Sequence, residues 1–181
     1  MFETFGVHLV HGWAVDPQEE ETFNVVVREG GSYNRVVEMC IAGDEAGEKR
    51  LAGEEGEKAV HNGLVCRNFL ATTASQLTYH GLSLLSETLP PNSLSVLFRN
   101  NHFHTLLKRG SGDLYTLVTD QGFLRTHGAV WESLGNLEGD SEFVDGLFRP
   151  FESGGVDEGA HGHEVHASVV VREGEDHADL E

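Results

Sequence analysis

The sequence predicts an α+β fold in which helices pack on a small antiparallel sheet, followed by a disordered acidic tail. Three observations carry this. Between residues 17 and 89, apolar side chains recur at helical spacing in segments punctuated by glycine, serine and proline. Between 94 and 119, three short runs rich in Leu, Val and Phe are separated by turn residues, the pattern of a meander. After Arg149-Pro150 the character changes, and residues 154–181 hold eight acids against one arginine. Such a segment buries too little apolar surface to offset its ordering entropy. The expected boundaries are 1–150 for the folded domain and 151–181 for the tail.

Taken in order, residues 5–10 have the composition of a strand that ends at His11-Gly12. Asp16 has the chemistry of a helix N-cap, with Pro17 at the first helical position. Glu19, Glu20 and Glu21 then place negative charge where the helix dipole favours it. Gly30-Gly31 stops that helix, and Ser32 caps a second whose Val36, Val37, Cys40 and Ile41 share a face. Residues 43–58 carry six acids, three bases and four glycines with little to bury, and predict a flexible surface loop. Helical periodicity resumes over 60–70 through Leu64, Val65, Phe69 and Leu70. Ser75 is the expected cap of a further helix presenting Leu77, Leu82, Leu84 and Leu85, ended by Pro90-Pro91. Strands over 94–99, 103–107 and 114–119 follow, with a glycine-containing turn at 108–113 and an edge strand around Val130-Trp131. Separated helical and strand regions argue for an α+β layout.

A net charge of −18 argues against nucleic acid or an anionic membrane surface as partner. It is compatible with a basic protein partner. The N-terminus lacks the basic start of a signal peptide, and no apolar run approaches the roughly 20 residues that span a bilayer. Two cysteines, Cys40 and Cys66, fit a reducing compartment, although two can also form one bridge. The expectation is a soluble intracellular protein, cytoplasmic with the nucleus also open to it.

Asn100, Asn101 and His102 interrupt apolar sequence where the first two strands meet. An unpaired polar group in a core costs about 1–3 kcal/mol, so this cluster needs partners or a purpose. The surrounding residues resemble a known family. The blocks Phe98-Arg99-Asn100-Asn101-His102-Phe103, Leu114-Tyr115, Leu117-Val118-Thr119-Asp120-Gln121-Gly122-Phe123-Leu124 and Val130-Trp131-Glu132-Ser133-Leu134 are similar to the MINDY family of cysteine deubiquitinases. So are His11-Gly12-Trp13-Ala14-Val15-Asp16-Pro17-Gln18, Ser32-Tyr33-Asn34 and Thr72-Thr73-Ala74-Ser75-Gln76-Leu77-Thr78-Tyr79-His80-Gly81-Leu82, in the family's order. Together they cover residues 2 to 148.

The resemblance implies a partial papain-like cysteine protease fold. It also implies a thiol deubiquitinase that hydrolyses isopeptide bonds in lysine-48-linked polyubiquitin. It places the family's catalytic histidine on His102, where an imidazole would hold a thiol as thiolate and then protonate the leaving amine. It carries ubiquitin-contacting aromatic positions onto Trp13, Tyr33 and Phe98; a core role is the alternative for each, and Phe98 alternates with Leu94 and Val96. Thr119 is the candidate for orienting the histidine from the adjacent strand, with Asp120 and Gln121 also within reach. In the family, the cysteine and a glutamine that helps form the oxyanion hole precede everything matched here. This chain alone is therefore expected to be inactive, the histidine-bearing portion of such an enzyme. The alternative is a catalytically inactive ubiquitin-chain-binding fragment or pseudoenzyme. Cys40 and Cys66 read as interior helical positions on apolar stripes, not helix starts where the dipole lowers a thiol pKa. Two positions after the catalytic histidine the family usually has a small hydroxyl residue; here it is His104. No cofactor is implied. His161, His163 and His166 sit in a glycine-rich segment without cysteine, short of the four ligands of a structural zinc site, so no metal is expected.

Overall fold

The chain divides into residues 1–151 and 152–181. The computed structural model describes residues 6–51, 53–110, 112–123, 128–137 and 141–151. The expected acidic tail, including His161, His163 and His166, lies outside the described residues apart from Phe151.

The fold is α+β, but the sheet is larger than expected and mixed in direction. Among the described residues it has six strands, in sequence order: β1 (His8–His11), β2 (Ser93–Arg99), β3 (His102–Lys108), β4 (Leu114–Leu117), β5 (Trp131–Ser133) and β6 (Phe143–Val144). β1 pairs parallel with β2; every later neighbour is antiparallel. A parallel pair needs a long crossover, and the helical region supplies it. The strand around Trp131 is not the edge, because Trp131 pairs with Val144 of β6.

Asp16 caps a turn rather than a helix, its carboxylate accepting the Gln18 N–H at 2.8 Å. A short helical turn, α1 (Glu20–Thr22), runs directly into a π-helix (Phe23–Gly30). Gly31, in the left-handed conformation (φ 72°), closes it by donating to the Val26 carbonyl. Ser32 then caps α2 (Tyr33–Glu48). The expected loop at 43–58 is largely helix, since α2 continues to Glu48 and α3 (Glu54–Thr72) begins six residues later. Its glycines are contact points: a Cβ on Gly43 would lie 2.8 Å from the Gly63 Cα where α2 crosses α3. Its charges form the solvent face, with Lys49 paired to Glu45 at 2.9 Å and Asp44 to Arg67. The fourth helix, α4 (Tyr79–Thr88), is capped by Thr78, not Ser75. The Thr78 hydroxyl accepts the Gly81 N–H at 2.9 Å and donates to the Ala14 carbonyl at 2.6 Å, tying α4 to the segment after β1.

Two apolar clusters result. One gathers Val15, Val25, Val26, Val36, Met39 and Cys66 among the helices. The other presses Leu77, Leu82, Leu85 and Leu89 onto Leu97, Leu106 and Leu114 of the sheet. Strand alternation therefore makes Ser95, Leu97, Leu106 and Thr116 the core face. Leu94, Val96, Phe98 and Phe103 occupy the opposite, outer face, where Leu94 and Phe103 are more than half exposed.

Candidate active site

The β2–β3 hairpin turns through Asn100 (φ 51°) and Asn101 (φ 56°). Two consecutive left-handed residues make a primed two-residue turn, which asparagine tolerates better than most residues. The turn is held from outside. Gln76, only 9% exposed, donates its amide N–H to Asn101 Oδ1 at 2.8 Å and accepts the Asn101 backbone N–H at 2.6 Å. The Asn100 N–H donates to the Ser75 carbonyl at 3.1 Å. The asparagines thus find their partners in the loop before α4, leaving His102 to be explained separately.

His102 is exposed, directly across the ladder from Arg99 and edge-on to His104 with ring centroids 5.2 Å apart. Alternation puts Arg99, His102 and His104 on the core face, just past the last packed leucines. Burial lowers the His104 pKa, reinforced by His102 and Arg99. Burial also lowers that of Arg99, with Glu132 opposing it. Glu132, on β5, accepts the Ser141 hydroxyl at 2.6 Å. The imidazole is not walled in by aliphatic side chains. It stands at an open polar corner.

Thr119 is exposed beyond the end of β4, and among the described residues no hydrogen bond joins it to His102. Glu132 and Gln76 were not foreseen. Gln76 lies inside a matched block, but a contact spanning 25 residues leaves no local signal.

The three aromatic candidates separate. Trp13 is half-buried, stacked on Phe69 at 5.9 Å, with its indole N–H on the Thr73 hydroxyl at 2.6 Å. Tyr33, 60% exposed, tilts against Trp13 at 5.9 Å. Phe98 packs on Phe103 at 5.3 Å on the outer face, because the Leu94–Val96–Phe98 alternation points away from the core. His11, opposite Phe98 on β1, accepts the Trp13 N–H at 3.2 Å and so lies between the two aromatic groups. A cavity of about 420 Å³ lined by Val15, Asp16, Phe69, Thr73 and Leu77 opens near Trp13; His102 is not among its walls.

Neither cysteine approaches this corner. Cys40 (α2) and Cys66 (α3) are free thiols that face each other across the helix pair. Burial raises both, Cys66 to about 11, and Cys66 is fully buried. Such thiols are inert near neutral pH. Among the described residues no cluster of three metal-binding side chains exists, and no helix is long and apolar enough to cross a membrane.

Comparison with known proteins decides the family. The family model described as MINDY deubiquitinase matches residues 1–148. The chain belongs to the MINDY deubiquitinase family. It is 47% identical over 162 residues to Ubiquitin carboxyl-terminal hydrolase MINDY-1 of Rattus norvegicus, covering 90% of this chain and 31% of that protein. Against the Homo sapiens MINDY-1 the figures are 46%, 90% and 32%. Against Homo sapiens MINDY-2 they are 44% over 148 residues, 82% and 22%. The chain thus spans about a third or less of these relatives. The hairpin bearing His102, the Gln76 loop and the Trp13 segment all fall inside the region matched to the MINDY model.

Proposed function

We propose that this chain is the histidine-bearing portion of a MINDY-type thiol isopeptidase acting on lysine-48-linked polyubiquitin, in a papain-like arrangement with His102 as the general base and acid. The observation that carries the reading is the placement of His102: an exposed imidazole at a strand start, on a hairpin whose turn is locked by Gln76. An imidazole there can hold a neighbouring thiol as thiolate and hand its proton to the departing lysine amine. On this reading the thiol comes from outside these 181 residues, because Cys66 is buried, Cys40 is partly buried, and burial raises the pKa of both. Trp13, Tyr33 and Phe98 supply aromatic area for the ubiquitin surface, burying much at little entropic cost. Thr119, just past the end of β4, is retained as the orienting residue in this reading. The two free thiols support a reducing compartment, cytoplasm or nucleus.

The test has two arms. The 181-residue chain is expected to bind lysine-48-linked tetraubiquitin without cleaving it; turnover blocked by a thiol alkylator would overturn the assignment of the nucleophile. In a polypeptide joining these residues to the family's cysteine segment, His102→Ala is expected to lower chain cleavage by about 10³-fold or more. Normal cleavage by that variant would remove His102 from the mechanism. A second reading, a ubiquitin-binding module without catalysis, is favoured by the inert state of both thiols. Binding of tetraubiquitin by the joined polypeptide with no cleavage, in wild type as in His102→Ala, would be its signature.

A further inference from the structure

Among the described residues, three buried side-chain polar atoms have no hydrogen-bond partner: Ser95 Oγ, Arg99 Nε and His104 Nε2. By register all three lie on the core face of β2 and β3, and the latter two flank His102. Buried polar atoms are normally paired, and each exception calls for an explanation, an arriving ion or a catalytic role among them. Arg99 and His102 are direct cross-strand partners, which places their Cβ atoms about 4.5–5.5 Å apart. The carboxylate that acts on both Arg99 and His104 is Glu132, and one of its oxygens is already taken by Ser141. One guanidinium, its Nε unpaired, and the His104 ring beside it therefore share one partly engaged carboxylate. Partial burial strengthens any ion contact made there.

We propose that Arg99, with His104 beside it, binds a peptide C-terminal carboxylate, and that in the reaction proposed above this is the carboxylate of the released ubiquitin. The inference rests on that reading for the identity of the ligand, not for the existence of the site. In isopeptide hydrolysis the thiolate displaces the lysine amine, breaking the C–N bond and leaving a thioester. Water then breaks the C–S bond, regenerating the thiol and releasing a carboxylate beside the same histidine that protonated the amine. A guanidinium one cross-strand position away, until then opposed only by the partly engaged Glu132, gains a second carboxylate partner when the thioester is hydrolysed, since neither amide nor thioester offers it a charge. Arg99 thus favours the product over the substrate, and the cleaved chain end competes with the next bond to be cut.

The test uses the 181-residue chain and two probes, N-acetylglycylglycine and its C-terminal amide, titrated while following the His102 and His104 ring signals by NMR. The free acid is expected to bind about fivefold to tenfold more tightly than the amide. Arg99→Gln should erase that preference and Arg99→Lys should keep part of it. Equal response of the wild-type chain to acid and amide overturns the proposal, and this comparison needs no variant, so misfolding of Arg99→Gln cannot obscure it. A second pair, ubiquitin with a free C-terminus and ubiquitin with an amidated one, separates the two readings. Tighter binding of the free form supports the inference, and equal binding refutes it. If neither ubiquitin binds while the dipeptide acid is still preferred, the carboxylate site stands and the ubiquitin reading falls.

Discussion

Replacing Gln76 by alanine tests whether the hairpin that presents His102 is fixed from outside. Gln76 is nearly buried and makes two hydrogen bonds to Asn101, at 2.6 and 2.8 Å. Each is worth about 1 kcal/mol, and the exposed Asn101 can recover part of its loss from water, giving about 2 kcal/mol in total. Gln76 itself has φ 59°. Alanine there bears the same left-handed cost, so the difference reports the side chain alone. For a domain of this size about 2 kcal/mol lowers the melting temperature by about 4–8 °C. Thermal denaturation by circular dichroism measures that, and the Asn101 and His102 amide signals report whether the turn has loosened. Gln76→Glu keeps the acceptor for the Asn101 N–H but loses the donor, and should fall between wild type and alanine. A change below about 1 °C with unmoved amide signals would refute the clamp.

Gly81→Ala should cost about 3 kcal/mol or more, because the new Cβ would run into the Gly12 carbonyl and only backbone movement could make room; unchanged melting would mean that α4 is free to slide. Cys66 should resist iodoacetamide at pH 7.5 in the folded chain and react on unfolding, and rapid labelling of native protein would contradict its burial. With the Cys66 pKa moved from 9.0 to about 11, the folded state keeps a proton that the unfolded chain releases. Stability should therefore fall as pH rises from 9 towards 11, and a urea midpoint that climbs across that window would be the wrong sign. Trp13→Ala loses the Phe69 stack and the Thr73 hydrogen bond, about 2–3 kcal/mol. Trp13→Phe keeps the stack, and equal melting of the two variants would show that the stack on Phe69 adds nothing to stability.

The elements that the sequence revealed are those whose signal is local. Ser32 is a cap because its hydroxyl lies within reach of the Arg35 N–H, and Gly31 is a stop because its φ is positive; neither depends on the rest of the molecule. Misread were the elements whose meaning is set by distant partners. Gly43 resembles a loop glycine until Gly63 is placed against it. The strand at Trp131 resembles an edge until Phe143 and Val144 pair with it. Thr78 outcompetes Ser75 as a cap because its hydroxyl also reaches Ala14, on another segment. The same holds for the site: His102 was visible through the resemblance of its flanking residues, whereas Gln76 and Glu132 join it only by tertiary contact. The outer placement of Phe98 follows from period-two alternation, but alternation alone does not say which face the helices will cover.

That alternation also constrains how the hairpin can work. Phe98 and Phe103 are direct partners on the outer face, in one row with His11, while Arg99 and His102, the next pair along, face the opposite side. On the proposed reading, a partner that rests on Phe98 and presents a bond to His102 must cross the tip of the hairpin, since the sheet separates the two positions. The tip is therefore the shared lever of recognition and proton transfer. Any looseness at Asn100–Asn101 would uncouple the docked surface from the imidazole by the amplitude of its motion, and positioning errors near 1 Å are already costly to a reacting pair. Two left-handed asparagines without outside support would fray, as isolated hairpins do. The Ser75 carbonyl and both ends of the Gln76 amide supply that support from the loop before α4. In turn, α4 is bound to the segment carrying Trp13 through Thr78 and the Gly12–Gly81 contact. The aromatic surface and the histidine are thus linked twice, through the loop–helix joint and through the β1–β2 pairing that sets His11 opposite Phe98.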